Sequence, residues 1–282
     1  MTPNSHLNGP WLIASDLDGT LLDHYSYSHT EVDHLLGRLE RREIPVVLNS
    51  SKTFREMLEI RRWLHNHHPF VVENGSAIFI PTGYFPDMPA NARDEGNFWV
   101  IETGAPREAI LEYLRRDAEQ NGAPYLSFSA ATTEEIVAAT GLSTERAQSA
   151  RQRSYSEPLL WRGSEAKKLS FCERASKAGL ATLEGGRFLH LLGRTDKGSA
   201  TLTLLEEYRR QRHRDCRLIA AGDSPNDLDM LRAADIAVII RSPSHSPPPL
   251  EEHPRVIVSE LPGPAGWNQV MEKLFFSTDE NA

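Results

Sequence analysis

The sequence predicts an α/β protein with a doubly wound parallel sheet and an inserted α/β cap domain. Near both ends of the chain, continuous apolar runs alternate with helical patterns, which is typical of a parallel sheet covered on both faces. Between these two regions lies a turn-rich block with a different rhythm. At 282 residues, the chain is long enough for a core domain and a smaller second domain.

The first core segment shows two amphipathic or capped helical patterns between apolar runs. Thr30 is the expected cap of the first helix, and the pattern Thr53-Phe-Arg-Glu56 predicts a capping box at the start of the second. Asn74-Gly75 predicts a two-residue hairpin turn. In order, we predict a strand over 11–15, a helix over 30–42, a strand over 44–48, a helix from 53 to about 67, and strands over 70–73 and 76–80.

The rhythm changes at about Tyr84 and returns at about Arg194. The sequence therefore predicts a discontinuous core domain, 1–83 plus 194–282, and a cap domain over 84–193 with a mainly antiparallel sheet. In the cap we predict strands over 98–102, 125–128 and 155–161, helices ending at 122, beginning after 132 and spanning 165–178, and a hairpin through 184–187. In the second core segment we predict a helix from 197, a strand ending at 222, a helix over 226–234, strands over 236–240 and 256–258, and a last helix to 276.

Composition excludes several classes of function. The formal net charge of −8 argues against non-specific binding to nucleic acid or to anionic membranes, but it allows a small anionic substrate. Neither a secretion signal nor an apolar run long enough to span a bilayer is apparent, so we expect a cytoplasmic protein. The two cysteines, Cys172 and Cys216, are expected to be buried free thiols.

Acidic side chains follow two of the predicted strands. Asp16-Leu-Asp18-Gly-Thr20 comes after the first strand, and Asp223 follows the run Leu218-Ile-Ala-Ala. The carboxyl ends of parallel strands meet at one edge of a sheet, where such ligands can converge. Paired carboxylates suit Mg²⁺, which takes hard oxygen ligands, and one of them can attack a phosphoryl group. The pattern predicts a magnesium-dependent phosphatase.

Four separated motifs resemble those of the haloacid dehalogenase superfamily of phosphatases. They are Asp16-x-Asp18-Gly-Thr20, Val47-Leu-Asn-Ser50, Asp196-Lys197-Gly198 and Gly222-Asp223-Ser-Pro-Asn226-Asp227. The resemblance implies a Rossmann-like core with Asp16 as the nucleophile and Asp18 as general acid and base. It also implies that Ser50 hydrogen-bonds a phosphoryl oxygen and that Lys197 neutralises the phosphate and screens Asp16.

The same resemblance implies the ligands of Mg²⁺. Asp16 and Asp223 would bind through their carboxylates, and Asp18 through its backbone carbonyl. Asn226 is expected to orient a water on the metal, whereas Asp227 is either a ligand or a residue that orients the metal water or Lys197. Ser50 and Ser51 are adjacent, and we favour Ser50 as the phosphate contact from its position in the motif.

Further stretches resemble the mannosyl-3-phosphoglycerate phosphatase family over most of the chain. They are Asp16–Asp23, Asn49-Ser-Ser-Lys-Thr53, Val71-Val-Glu-Asn-Gly-Ser-Ala-Ile78, Arg153-Ser-Tyr-Ser-Glu-Pro158 and Gly186-Arg-Phe-Leu-His190. The resemblance implies removal of phosphate from 2-O-mannosyl-3-phosphoglycerate to give mannosylglycerate, a compatible solute. Such a substrate carries a phosphate, a carboxylate and a sugar.

Candidate substrate contacts follow from these stretches. The turn Lys52-Thr53 and the side chains of Arg153 and Arg187 could supply cations and donors, because Arg suits bidentate recognition of carboxylate or phosphate. Glu157 and His190 could bind sugar hydroxyls. Structural alternatives stay open, since Arg153 could be exposed near a helix end and Arg187 could only flank the Gly-Gly turn.

Other functions remain compatible with the core motifs. They are a phosphatase for glucosyl-3-phosphoglycerate or another sugar phosphate such as a sucrose-type substrate, a phosphosugar mutase, and a ligand-binding regulator without catalysis. A regulator would be expected to lose a carboxylate or the lysine, and all are present. The oligomeric state is not evident from the sequence.

Overall fold

A computed structural model of the chain describes residues 7–185 and 187–276. The β-strands of this part are β1 (Trp11–Ser15), β2 (Val46–Asn49), β3 (Phe70–Val72), β4 (Ala77–Pro81), β5 (Arg93–Asp94), β6 (Phe98–Glu102), β7 (Tyr125–Ser127), β8 (Ser156–Trp161), β9 (Leu180–Gly185), β10 (Phe188–Gly193), β11 (Arg217–Gly222), β12 (Ile236–Arg241) and β13 (Val256–Pro262). The α-helices are α1 (Asp33–Arg41), α2 (Phe54–Trp63), α3 (Arg107–Asn121), α4 (Thr133–Thr140), α5 (Thr144–Arg151), α6 (Glu165–Lys177), α7 (Lys197–Gln211), α8 (Leu228–Arg232) and α9 (Gly263–Phe275). A short 3₁₀ turn covers Pro225–Asp227, and Glu73–Gly75 form a turn with positive φ angles.

The larger sheet has nine strands in the described residues, in the order β13-β12-β11-β1-β2-β3-β4-β6-β5. Neighbours from β13 to β3 are parallel, and β4, β6 and β5 continue the sheet in antiparallel pairs. Side chains of β1 alternate between two apolar cores: Trp11 and Ile13 pack with α1, α2 and α9, whereas Leu12 and Ala14 pack with α7 and α8. Helices therefore cover both faces of the parallel part, which confirms the predicted doubly wound fold.

The smaller sheet has four antiparallel strands in the order β7-β8-β10-β9. Side chains of α3 and α6 pack on one face around the buried Phe171. A separate apolar cluster around Phe128 and Ile136 joins α4 and α5 to β7 and β10. This second sheet is the predicted cap sheet, and its remaining face lies over the carboxyl ends of the core strands, as the cavity described below shows.

Two features of the predicted cap differ from the structure. The strand expected over 98–102 is present as β6, but it pairs with β4 and extends the nine-stranded sheet rather than the cap sheet. The chain thus leaves the core sheet after Glu102, later than the expected boundary at residue 84, because strand order in a sheet is not a local property of sequence. Helix α5 was not predicted; its low apolar content hides it, although Ser143 caps it by accepting from the Arg146 N–H.

Only some of the helix caps and turns predicted from the sequence are present in the structure. Thr53 and Thr132 each form the predicted capping box, at the starts of α2 and α4. Thr30 does not cap α1, which begins at Asp33; the Thr30 hydroxyl instead hydrogen-bonds the Ser28 hydroxyl. The hairpin turn is also longer than the expected Asn74-Gly75 pair, since Val72 pairs with Ala77 and leaves residues 73–76 in the turn.

The remaining predicted elements are found within a few residues of their expected bounds. The turn between β9 and β10 includes residue 186, which lies outside the described residues. Cys172 and Cys216 are free thiols, and Cys216 is the buried one. Within the described part, the longest helices are too short or too polar to cross a membrane.

The turn after β3 approaches the start of α7 so closely that it requires glycine. Gly75 has φ +93°, and a Cβ there would lie 2.1 Å from the backbone oxygen of Asp196. Gly83 also has a positive φ, +78°, but a Cβ there would have open space. Backbone contact between the two core segments at this point positions Lys197, the first residue of α7.

We therefore expect Gly75→Ala to lower the free energy of unfolding by ~2 kcal/mol or more, because the left-handed backbone and the clash with Asp196 both oppose a side chain. Gly83→Ala, which carries only the backbone penalty, is the matched control and should cost about 1 kcal/mol. Urea unfolding of the two variants checks this. Equal losses would contradict the close approach at Gly75.

Candidate active site

The candidate site forms where β1 and β11 end side by side. Ser15 pairs with Ala221 across these parallel strands, and the Asp16 N–H donates to the Ala221 carbonyl at 2.9 Å. Asp16 and Asp223 thus leave the sheet at the same edge. The turn after Asp16 closes on Asp223: Gly19 has φ +80°, and a Cβ there would lie 2.7 Å from the Asp223 carboxylate. The Asp-x-Asp-Gly pattern therefore packs one acidic strand end against the other.

Asp16, Asp223 and Asp227 form a buried cluster of carboxylates. One oxygen of each lies within 4.8 Å of the others. Asp227 is also fixed from two sides, because its Oδ2 accepts from the N–H groups of Asp223 and Ser224 at 3.1 and 3.0 Å. Buried carboxylates held in this way supply the oxygen ligands that Mg²⁺ prefers, so this donor set fits the metal implied by the sequence.

Lys197 provides the positive charge beside these carboxylates. Its Nζ lies 2.5 Å from Asp16 Oδ1 and 2.7 Å from Asp227 Oδ1, and its side chain is only 1% exposed. Asp196 caps α7 by accepting from the Ser199 N–H at 2.7 Å, which fixes the helix end that carries Lys197. The Asp-Lys-Gly motif thus places a lysine directly on the candidate nucleophile.

Burial and charge shift the acid–base properties of the cluster. Desolvation and the nearby Asp227 raise the pKa of Asp16 well above its usual range, although Lys197 opposes the shift. The same two causes raise the pKa of Asp223 to about 7. Burial alone would lower the pKa of Lys197, but Asp16 and Asp227 outweigh it and the net shift is upward. Ionisation of the carboxyl groups is therefore disfavoured even with Lys197 beside them, and a divalent metal would favour their ionised forms.

The loop after β2 brings a second cation to the site. Lys52 Nζ lies 2.7 Å from Asp18 Oδ2. Burial lowers the pKa of Lys52, but Asp18 and Glu56 raise it by more, so Lys52 stays charged. Ser51 lines the cavity, and the Ser50 hydroxyl, which is buried, accepts from the Lys52 N–H at 3.3 Å.

A cavity of about 310 Å³ lies between the core strand ends and the second sheet. The core side is polar and includes Asp16, Asp18, Lys52 and Asp223. The opposite side consists mainly of apolar and aromatic side chains, with a few polar groups among them: Phe128, Thr140, Leu142, Pro158, Leu183, Phe188 and His190. The cavity thus offers charged groups to an anion at one end and an aromatic-lined space at the other.

The predicted substrate contacts divide into two groups. Arg153 and His190 line the cavity, as does Asn226. Glu157 does not; its fully buried carboxylate pairs with Arg107 at 2.6 Å and accepts from the Ser129 N–H. Arg187 is exposed and donates to the Ala139 carbonyl at 3.1 Å.

Thr53 also lies off the cavity wall, since its hydroxyl caps α2 and donates to the Ser149 carbonyl at 3.1 Å. The geometry of Thr53, Glu157 and Arg187 favours structural roles, because their polar groups are engaged with protein partners. The predicted contacts of these three residues with substrate gain no support from it.

Several cavity residues were not found from the sequence. Asn74 lines the cavity and accepts from Asn226 Nδ2 at 3.3 Å; from the sequence it was expected in a turn and in a family-like stretch, without a role in the site. His245 lies in the proline-rich loop after β12, with its Nε2 3.4 Å from Asp223 Oδ2. His24, Tyr27 and Glu56 also line the cavity. Asn74 could have been found from the Glu-Asn-Gly stretch, which belongs to a family-like segment of the sequence. The loop around His245 has no sequence pattern that indicates a site.

Comparison with known proteins agrees with this geometry. A family model described as haloacid dehalogenase-like hydrolase matches residues 13–85. A protein of Thermoplasma acidophilum with a solved structure has a TM-score of 0.68 over 95% of this chain and 99% of its own, at 17% identity, and therefore shares the fold.

Closer sequence relatives cover nearly the whole chain. A glucosyl-3-phosphoglycerate/mannosyl-3-phosphoglycerate phosphatase of Methanococcoides burtonii is 35% identical over 93% of this chain and 96% of its own length. The protein of the same description from Persephonella marina is 34% identical over 92% and 94%. The chain therefore belongs to the haloacid dehalogenase-like hydrolases, in the family of the glucosyl-3-phosphoglycerate/mannosyl-3-phosphoglycerate phosphatases.

Proposed function

We propose that the protein is a magnesium-dependent phosphatase that converts 2-O-mannosyl-3-phosphoglycerate to mannosylglycerate and phosphate through an aspartyl-phosphate intermediate. The observation that carries the proposal is the contact of buried Lys197 with Asp16, beside Asp223, at the floor of a cavity large enough for a glycosylated phosphoester. Mannosylglycerate is a compatible solute, so the proposed role is in compatible-solute synthesis.

In the proposed first step, the Asp16 carboxylate attacks phosphorus and the bond from phosphorus to the glycerate oxygen breaks. Asp18 gives its proton to that oxygen as it leaves. In the second step, water attacks the phosphorus of the aspartyl phosphate, Asp18 takes the proton, and phosphate leaves with Asp16 restored. Asp18 suits both steps because it lies two residues from Asp16 and also lines the cavity.

The charge of the transferring group has to be balanced in both steps. Mg²⁺, when held by Asp16, Asp223 and the turn at Asp18, would supply Lewis-acid stabilisation of the phosphoryl oxygens. Lys197 holds Asp16 in place and reduces the repulsion between its carboxylate and the substrate dianion. Asp227 orients Lys197 through the 2.7 Å contact between them. Ser50 or Ser51 would donate to a phosphoryl oxygen.

Substrate recognition is proposed to use the cations and the aromatic side of the cavity. Arg153 and Lys52 face the cavity from two sides and suit the carboxylate and phosphate of phosphoglycerate. Phe128 and Phe188, whose ring centroids are 5.0 Å apart, offer an apolar surface for the sugar ring, and His190 offers a polar group beside them. Lys52 would exchange its contact with Asp18 for one with the substrate.

The glucosyl analogue is a second candidate substrate. Two observations favour it: both relatives are described as phosphatases of glucosyl-3-phosphoglycerate as well as of the mannosyl compound, and the side of the cavity opposite the core is mainly apolar. An apolar surface distinguishes poorly between sugars that differ in one hydroxyl orientation. Phosphate release from both substrates, with hexose phosphates as further comparisons, tests the proposal; no release from either glycosyl-phosphoglycerate would reject it.

Asp16→Asn should reduce phosphate release at least about 1,000-fold, because the amide is a poor nucleophile at a position that acts with Asp18 and Lys197 as a unit. The measurement is steady-state phosphate release from mannosyl-3-phosphoglycerate, with circular dichroism to verify folding. Asp87→Asn, a change of an exposed carboxylate outside the cavity, is the control and should keep full activity. A folded Asp16→Asn enzyme with more than a few per cent of normal activity would contradict the assigned nucleophile.

Mg²⁺ should raise the thermal midpoint of the metal-free protein by several degrees, because the cation binds the carboxylate cluster only in the folded state. Asp223→Asn should reduce this shift, since it removes one of the buried carboxylates, while Asp87→Asn should leave the shift unchanged. Differential scanning fluorimetry with and without Mg²⁺ measures it. An identical Mg²⁺ shift in Asp223→Asn and in the unaltered protein would contradict the metal site.

Arg153→Ala should raise KM for mannosyl-3-phosphoglycerate roughly 10- to 100-fold, the effect of losing charged hydrogen bonds to substrate. The same change should alter KM for p-nitrophenyl phosphate far less, because that ester has no carboxylate. Arg162→Ala, at an exposed arginine that does not line the cavity, serves as the control. Equal losses on both substrates would reject a role of Arg153 in recognition.

A further inference from the structure

We infer that Glu73 is a positioning residue, whose buried carboxylate holds Arg153 and the adjoining cap-sheet segment in the orientation that directs Arg153 into the cavity. From the sequence, Glu73 was expected only as the last residue of a strand and as part of a stretch that resembles the family. The inference rests on the proposed function and deepens it, because it explains what holds the candidate carboxylate-binding arginine in place.

Glu73 makes three hydrogen bonds to one segment of the second sheet. Its Oε1 accepts from the Ser154 N–H at 2.8 Å, and its Oε2 accepts from the Tyr155 N–H at 3.2 Å and the Ser156 hydroxyl at 2.6 Å. Glu73 belongs to the core domain, directly after β3, and only 1% of its surface is exposed. A carboxylate of the core thus fixes residues 154–156, the segment that leads into β8.

Arg153 is the charged partner of this carboxylate. Its Nε lies 3.6 Å from Glu73 Oε2 and donates to the Ser156 hydroxyl at 2.9 Å, so Ser156 bridges the two side chains. Its Nη2 donates to the Ser51 carbonyl at 2.6 Å. A guanidinium has five N–H donors, and these two bonds leave donors for an anion in the cavity that Arg153 lines.

The turn that carries Glu73 also hydrogen-bonds the loop after β2, which contains Ser50 and Lys52. The Glu73 N–H donates to the Lys52 carbonyl and the Asn74 N–H to the Ser50 carbonyl, both at 3.0 Å. Glu73 and Asn74 adopt the left-handed backbone, with φ of 49° and 60°, which non-glycine residues adopt only where the surroundings enforce it. This turn therefore contacts both the Ser50–Lys52 loop and Arg153.

The charge of Glu73, and not only its hydrogen bonds, is needed here. A buried guanidinium without a carboxylate partner is costly, so removing the charge of Glu73 should release Arg153 toward solvent or into a new contact. The side-chain amide of Gln would also place an N–H group against the N–H groups of Ser154 and Tyr155, which need an acceptor. The expected result is a loss of Arg153 orientation with the core site intact.

The test is a double-mutant cycle with Glu73→Gln and Arg153→Ala, measured as kcat and KM on mannosyl- and glucosyl-3-phosphoglycerate and on p-nitrophenyl phosphate. We expect Glu73→Gln alone to raise KM for the glycosyl-phosphoglycerates about 10-fold while kcat on p-nitrophenyl phosphate changes less than about 3-fold. In the Arg153→Ala background the same change should have little further effect on KM, because the two residues act as one unit.

Two further variants separate positioning from general stability. Ser156→Ala removes the bridge between Glu73 and Arg153 and should raise the same KM by a smaller factor. Tyr155→Phe is the matched control: it removes a hydrogen bond from the same segment, donated by the Tyr155 hydroxyl to Glu102 at 2.8 Å, and should not shift KM. A Glu73→Gln effect that is equal on all substrates, or fully additive with Arg153→Ala, would overturn the inference.

A second readout does not depend on the substrate. The Nε–H resonance of Arg153, assigned with Arg153→Lys, should exchange slowly with solvent in the unaltered protein and faster in Glu73→Gln. Unchanged exchange would overturn the inference. If the unaltered enzyme hydrolyses p-nitrophenyl phosphate but neither glycosyl-phosphoglycerate, the proposed function fails, and the exchange measurement alone decides the role of Glu73.

Discussion

The contact of Lys197 with Asp16 and Asp227 is the interaction on which the rest of the site depends. Three carboxylates converge where β1 and β11 end, and burial makes their shared negative charge costly. A lysine that is itself buried offsets part of this charge and holds the candidate nucleophile at 2.5 Å. The close approach of Gly75 to Asp196 and the cap of α7 by Asp196 both serve to fix that lysine. The packing around the N-terminus of α7 therefore positions the lysine on which the proposed chemistry depends.

Reaction and recognition lie on opposite sides of the cavity. The core strand ends provide carboxylates and cations, whereas the second sheet provides mainly apolar side chains and His190. Family membership establishes a haloacid dehalogenase-like hydrolase related to glycosyl-phosphoglycerate phosphatases. In our proposal, Arg153 links the two sides, because it belongs to the cap segment but donates to the Ser51 carbonyl of the core. Glu73 completes this link from the core.

Local sequence patterns identified the parts of the site that depend on strand ends. Asp16 and Asp223 follow apolar runs, and the geometry of parallel strands makes their proximity predictable. Contacts with partners from distant elements could not be predicted from local sequence. Glu157 looked available for a sugar, but Arg107 and the Ser129 N–H engage it. His245 reaches Asp223 from a proline-rich loop whose path no periodicity encodes, and β6 joined the core sheet because strand order is a tertiary property.

The central claim is that Asp16 carries the phosphoryl group during turnover. The most direct measurement is acid quenching of the enzyme within the first turnover of mannosyl-3-phosphoglycerate, followed by borohydride reduction and peptide mass spectrometry. The account predicts that the acyl phosphate at residue 16 is reduced to homoserine there and at no other carboxylate. Trapping at another residue, or rapid phosphate release with no modified carboxylate at any quench time, would contradict it.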